Sequence, residues 1–140
     1  VDLAAAQLAM RRRRGYAVVD LMSEKGGSVA MDEALEREVS LLHANICQGL
    51  SDPKRILILY ALSDAPMHVN ELAEALHVPQ PTASRHLKVL RERNLVAARR
   101  EGPSVLYTLA DERVIVALDI LRSVLMGALS RQGHLAESLD

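Results

Sequence analysis

The sequence predicts a mainly α fold with a small β-wing, and three observations predict it. Apolar residues recur at helical spacing through most of residues 32–131. That spacing gives way to alternation only over residues 95–109, on either side of a Gly102-Pro103 pair. The apolar residues, 49% of a 140-residue chain, are Leu, Val, Ile, Ala and Met with only three Tyr and no Phe or Trp, a palette for helix packing rather than for a sheet sandwich. A chain of this length forms one domain, or one domain with an appendage.

Residues 1–31 differ in character from the rest of the chain. Arg11, Arg12, Arg13 and Arg14 form a run of like charge, and Gly26-Gly27-Ser28 is a break. This stretch reads as a flexible N-terminal extension, either a basic arm or a solvated tail. The folded domain is expected over residues 32–131, with residues 132–140 as a C-terminal tail. Its first helix opens at Asp32 with acids in the first turn, carries Leu35, Val39, Leu42 and Ile46 on one stripe, and stops at Gly49. Asp52 and Pro53 read as the N-cap and first residue of a second helix, apolar nearly all round through Ile56, Leu57, Leu59, Tyr60 and Leu62, that ends near Pro66. His68-Val69-Asn70 reads as an extended lead-in, with Asn70 capping a two-turn helix over residues 71–76 whose Leu72, Ala73 and Leu76 point inward.

His77-Val78-Pro79 then connects to a helix that is polar and basic outside and apolar inside. Pro79 or Pro81 fits its first turn, where a missing N–H costs little. Its inner stripe is Ala83, Leu87 and Leu90, and Lys88, Arg91 and Arg93 lie on its outer side. Two helices joined by a tight turn, the second basic, make a helix-turn-helix pattern. The alternating segments after Asn94 make a hairpin with a Gly-Pro tip, the wing of a winged helix-turn-helix. A last helix runs from Asp111 to about Arg131, with more apolar positions than a thin core can cover. That excess predicts a homodimer held by the long first and last helices, through Leu35, Val39, Leu42, Ile46, Val114, Leu118, Leu121 and Leu125.

A formal net charge of −1 conceals a basic segment: residues 80–100 hold six Lys and Arg against one acid. A polyanion partner is therefore compatible with the neutral average. Gln80 can pair bidentately with adenine and Arg85 with guanine, while Thr82 and Ser84 are short enough to reach a base edge or a phosphate from the first helical turn. Lys88, Arg99 and Arg100 suit phosphates, and Ser104 and Tyr107 add neutral donors. His86 reads either as a phosphate donor or as a packed helix residue. The plainer reading of the whole stretch is a solvated basic face on an ordinary helix, and a winged-helix module that docks on proteins is the alternative function.

Three segments in combination carry a family resemblance: Leu50-Ser51-Asp52-Pro53-Lys54-Arg55-Ile56-Leu57-Ile58-Leu59; Glu71-Leu72-Ala73 leading to Pro81-Thr82-Ala83-Ser84-Arg85-His86-Leu87-Lys88-Val89-Leu90; and the wing from Arg99-Arg100-Glu101-Gly102 to Tyr107. Over about residues 33–131 the chain resembles the ArsR/SmtB family of small bacterial winged-helix repressors, with MarR-like winged helices as the nearest rival. The resemblance implies a homodimer that binds double-stranded DNA at an imperfect palindrome and releases it when an inducer, a small molecule or a redox signal, binds.

Two metal sites familiar in that family are not expected. Glu71-Leu72-Ala73-Glu74-Ala75-Leu76 contains no thiolate, and the last helix keeps Asp111 but has apolar residues where histidines would stand. His43 and Cys47, four apart on the first helix, form the one candidate sensing pair; the plainer reading makes Cys47 a small buried hydrophobe and His43 a surface or interface residue. No cofactor is expected, and no phosphate loop, nucleophile elbow or paired-His motif suggests an enzyme. The single cysteine and the lack of a secretory signal point to the cytoplasm, and no apolar run is long enough for a membrane span.

Overall fold

The computed structural model describes residues 30–138. The expected N-terminal extension falls, but for its last two residues, outside that range. The chain divides into two compact units, residues 1–42 and His43–Asp140. In the first, helix α1 spans Glu33–Leu42. Asp32 Oδ1 accepts from the Ala34 N–H at 3.0 Å, and Glu33 and Glu36 occupy the first turn, where the helix dipole favours acids. Every residue of α1 is exposed, including Leu35, Val39 and Leu42.

The second unit opens with a π-helical turn, His43–Cys47, and helical bonding continues to Gly49. Arg55 closes this end. Its Nε donates to the Gly49 carbonyl at 2.7 Å, and its Nη2 donates to the Gln48 carbonyl and Ser51 Oγ, both at 3.2 Å. Carbonyls that would otherwise lack a partner at a helix end are thereby satisfied. Gly49 ends the helix as expected, and it has a second reason to be glycine: a Cβ there would stand 2.7 Å from Leu95 Cδ1.

Helix α2, Pro53–Asp64, starts as the sequence predicts, with Asp52 Oδ1 accepting from the Lys54 N–H at 2.8 Å and Pro53 in the first turn. The next segment differs from expectation. Met67–His68 is a strand, β1, and helix α3 runs Val69–Leu76 with His68, not Asn70, at its cap. Glu71 Oε1 accepts from the His68 N–H at 3.0 Å, half of a capping box, while His68 Nδ1 meets the Val105 carbonyl at 3.0 Å. His77 ends α3 in the left-handed conformation (φ 54°), and the Val78 N–H bonds the Ala73 carbonyl at 3.0 Å across the turn.

Helix α4 comes next at Gln80–Glu92, then strands β2 (Val96–Glu101) and β3 (Ser104–Leu109). Glu101 pairs with Ser104, so Gly102-Pro103 is a two-residue turn. Gly102 at φ +58° followed by a proline gives the sign pattern of a type II′ turn, whose twist matches that of the strands it joins. The sheet has three strands in the order β1-β3-β2, all antiparallel, with Met67 opposite Tyr107 and His68 opposite Leu106. The wing is thus tied at the middle of β3 to the segment that leads into α3.

The core gathers Ile58, Leu59 and Leu62 of α2, Leu72 and Leu76 of α3, Leu87 and Leu90 of α4, then Leu95, Val96 and Leu118. Each fully buried aliphatic side chain contributes about 1.5–3 kcal/mol relative to exposure. The last helix, α5, spans Arg113–Ser138 and continues beyond the expected end near Arg131 into the residues expected as a tail. Tyr60 locks it to α2: its hydroxyl donates to Asp119 Oδ1 at 2.7 Å, and the Arg122 guanidinium lies 5.3 Å from its ring centroid. Leu118 is only 5% exposed and Val114 packs against the core, which removes Leu118 from the expected dimer interface. Ile46 is also half-buried against the core, whereas Leu121 and Leu125 are 59% and 56% exposed. No helix among the described residues is long and apolar enough to cross a membrane.

Candidate nucleic-acid interface

Helix α4 is held by one face and open on the other. Ala83, Leu87 and Leu90 are buried, and opposite them Arg85 and Lys88 are exposed, with Gln80 and Ser84 exposed on one flank. Thr82 and His86, four residues apart, share the other flank and are half-buried. The first turn is capped by Pro79, whose carbonyl accepts from the Thr82 and Ala83 N–H groups at 3.0 and 3.2 Å, and Pro81 brings no N–H that would need a partner. Its C-terminal end is closed by Asn94 at φ 59° and by a bond from the Leu95 N–H to the Leu90 carbonyl at 2.9 Å.

Strand alternation separates the wing residues that the sequence grouped together. Val96, Ala98 and Arg100 share a face with their partners Leu109, Tyr107 and Val105, the face that packs on the core. Tyr107, expected as a neutral donor, is half-buried with its ring packed against the core cluster. Arg99 lies on the opposite face with Glu101, which it meets at 2.7 Å, so part of its charge is compensated locally. Arg100 and Ser104 are exposed near the tip. Among the described residues Arg85, Lys88 and Arg100 form no ion pair.

One basic residue of this segment turns back onto its own chain, where the sequence pattern had suggested the outer side. Arg93 Nη1 donates to the Ala44 carbonyl in the π turn. The sequence held a signal for it. Eleven residues separate Arg93 from Thr82, about three helical turns, which places it on the flank shared by Thr82 and His86. The Tyr107 placement was equally legible: a two-residue turn at Gly102-Pro103 fixes Tyr107 opposite Ala98, on the face of Val96.

For metal chemistry the described residues offer no group of three or more His, Cys, Asp or Glu that could hold an ion. Asp111 is engaged otherwise. Its Oδ2 lies 2.6 Å from Arg113 Nη2 and its Oδ1 caps the Arg113 N–H at 2.9 Å, and these bonds hold its pKa down to about 2. Cys47 and His43 are both exposed, so Cys47 is not the buried hydrophobe of the plainer expectation.

The profile described as bacterial regulatory protein, arsR family, matches residues 52–98, from the cap of α2 into β2. The regulator NmtR of Mycobacterium tuberculosis is 38% identical over 85 residues, 61% of this chain and 71% of NmtR. The transcriptional repressor SmtB of the same organism is 41% identical over 78 residues, 56% of this chain, and the chain spans 58% of the length of SmtB. Among solved structures, NolR from Sinorhizobium fredii superposes with a TM-score of 0.61 at 29% identity, over 68% of this chain and 94% of NolR. The homodimeric winged helix-turn-helix DNA-binding domain of Mb0332 from Mycobacterium bovis gives a TM-score of 0.62 at 26% identity, over 74% of this chain and 94% of that domain.

Proposed function

The chain belongs to the ArsR family of bacterial regulatory proteins, and from that premise we propose that it is a sequence-specific repressor that binds a palindromic DNA operator as a homodimer and is released by a signal. The observation that carries this reading is the polarity of α4, with Ala83, Leu87 and Leu90 buried beneath exposed Gln80, Ser84, Arg85 and Lys88. Arg85 and Gln80 have the donor patterns for guanine and adenine edges in a major groove, and Thr82 and Ser84 reach a base or phosphate beside them. Lys88, Arg99, Arg100 and Ser104 bind phosphate, and the half-buried His86 adds at most one donor. The dimer forms through the exposed apolar residues of α1 and α5, Leu35, Val39, Leu42, Leu121 and Leu125. It presents two α4 helices about 34 Å apart, one DNA turn, so that they enter successive major grooves.

Selection of bound duplexes from a random pool tests this. A palindrome with half-sites about one turn apart is expected, and failure to enrich any palindrome overturns the reading. A second reading concerns the signal, and the exposure of both His43 and Cys47 within one turn favours it: these residues form a thiol-responsive site. Alkylation of Cys47 then weakens operator binding, and unchanged affinity after complete alkylation excludes it.

A further inference from the structure

Arg93 counts toward the positive charge of the DNA-facing segment, yet its guanidinium donates to a backbone carbonyl of its own chain, that of Ala44. The contact joins two unusual pieces of backbone. Ala44 lies in the π-helical turn His43–Cys47, and Arg93 is the C-cap of α4, directly before Asn94 at φ 59°. π turns are rare and occur mostly as single turns inside α-helices, frequently at functional sites. The contact is also more than one hydrogen bond. A Cβ on Gly49 would lie 3.5 Å from both Cβ and Cγ of Arg93 and 2.7 Å from Leu95 Cδ1, so the Arg93 stem and Leu95 both lie over the end of the same helix. Arg55 fixes that end from α2 through the Gly49 carbonyl at 2.7 Å.

We propose that Arg93 is a positioning residue for DNA reading: it clamps the C-terminal end of α4 to the π turn and so sets the angle at which Gln80, Ser84 and Arg85 are presented. The inference rests on the reading of α4 as a DNA-binding helix. Leverage makes the clamp matter. Thirteen residues of helix extend about 20 Å, so a tilt of ~5° about one end moves the other by ~2 Å, enough to spoil a bidentate base contact whose distances tolerate only a few tenths of an ångström. Arg93 therefore governs specific binding without touching DNA.

Two measurements on the full chain test this with Arg93→Met and Arg93→Lys. In the free protein, amide hydrogen exchange of Leu95 and of the π-turn residues is expected to accelerate together in Arg93→Met, by about tenfold or more. Arg93→Lys, which keeps a donor, restores part of the protection. Unchanged exchange in Arg93→Met overturns the clamp whatever the protein does with DNA. On DNA, Arg93→Met is expected to lose about tenfold affinity for the selected operator, with affinity for random duplex and the slope of log affinity against log salt both unchanged. Equal losses on both duplexes, with the salt slope reduced by about one, would identify Arg93 as a phosphate ligand and overturn the proposal. If the wild type binds no duplex, the proposed function fails while the exchange result still decides the clamp. Should Arg93→Met fail to fold, Arg93→Lys reads the same quantities with smaller changes.

Discussion

Helices α4 and α5 belong to one compact unit and differ in how far that unit completes them. In α4, three positions of a 13-residue helix are buried and the remainder is polar or charged for the most part. In α5, 26 residues long, Leu118 is the one buried position among the described side chains, while Leu121, Val124, Leu125, Met126 and Leu129 remain 49–63% exposed. Exposed apolar surface of that extent marks an interaction face. The first helix is finished within its own chain and offers a charged face; the second is unfinished and offers an apolar one.

The contrast should be widest in stability. Leu90→Ala is expected to cost roughly 2–5 kcal/mol in denaturant unfolding, because Leu90 is fully buried, whereas Leu125→Ala should leave monomer stability within about 0.5 kcal/mol. A loss below about 1 kcal/mol at Leu90 would erase the distinction. Next in size is assembly. Leu121→Asp combined with Leu125→Asp should convert a dimer to a folded monomer in sedimentation, and a variant that sediments like the wild type would show that α5 is covered by something else.

The side proposed to face DNA can be divided further. Arg85→Ala should lose about 1–3 kcal/mol of discrimination at one base position, while Arg100→Ala should weaken operator and random duplex alike and lower the salt slope by about one. Identical behaviour of the two variants would remove the division between base reading and phosphate binding. The smallest effect concerns acid. Asp111 has a depressed pKa, so its contribution is complete above the unfolded value near 4 and is lost as pH falls through about 2. A carboxyl titration by NMR should show its midpoint at about 2, and a midpoint at about 4, the ordinary aspartate value, would dissolve the Asp111–Arg113 pair.

Much of this architecture was legible because it depends on local chemistry. Asp52-Pro53 announces a helix start, alternation around Gly102-Pro103 announces a hairpin, and the Ala83, Leu87, Leu90 stripe announces the buried side of α4. What escaped depends on longer-range contacts or on elements too short to show a period. Strand β1 has two residues, and only pairing with Leu106 and Tyr107 makes it a strand. The π turn is invisible because the Leu35, Val39, Leu42, Ile46 spacing runs smoothly across it. Leu118 and Leu121 look alike in sequence, yet one faces the core and the other solvent, a distinction set by where α5 meets α2. Of the candidate DNA ligands, Gln80, Ser84, Arg85, Lys88, Arg99, Arg100 and Ser104 are exposed, and Thr82, His86 and Tyr107 are half-buried.

The strand order β1-β3-β2 leaves β2 on the outside of the sheet, with no strand beyond it among the described residues. Every second residue of this six-residue strand turns its backbone groups outward, where they would serve as a template for a neighbouring molecule to add a strand, the first step toward aggregation. Half of those residues are the charged Arg99, Arg100 and Glu101, and charged side chains on an edge strand oppose the approach of a second edge. Charges at that position make the wing's outer strand a poor template for edge-to-edge joining. Replacing Arg99 and Arg100 with apolar residues should therefore raise the tendency to aggregate.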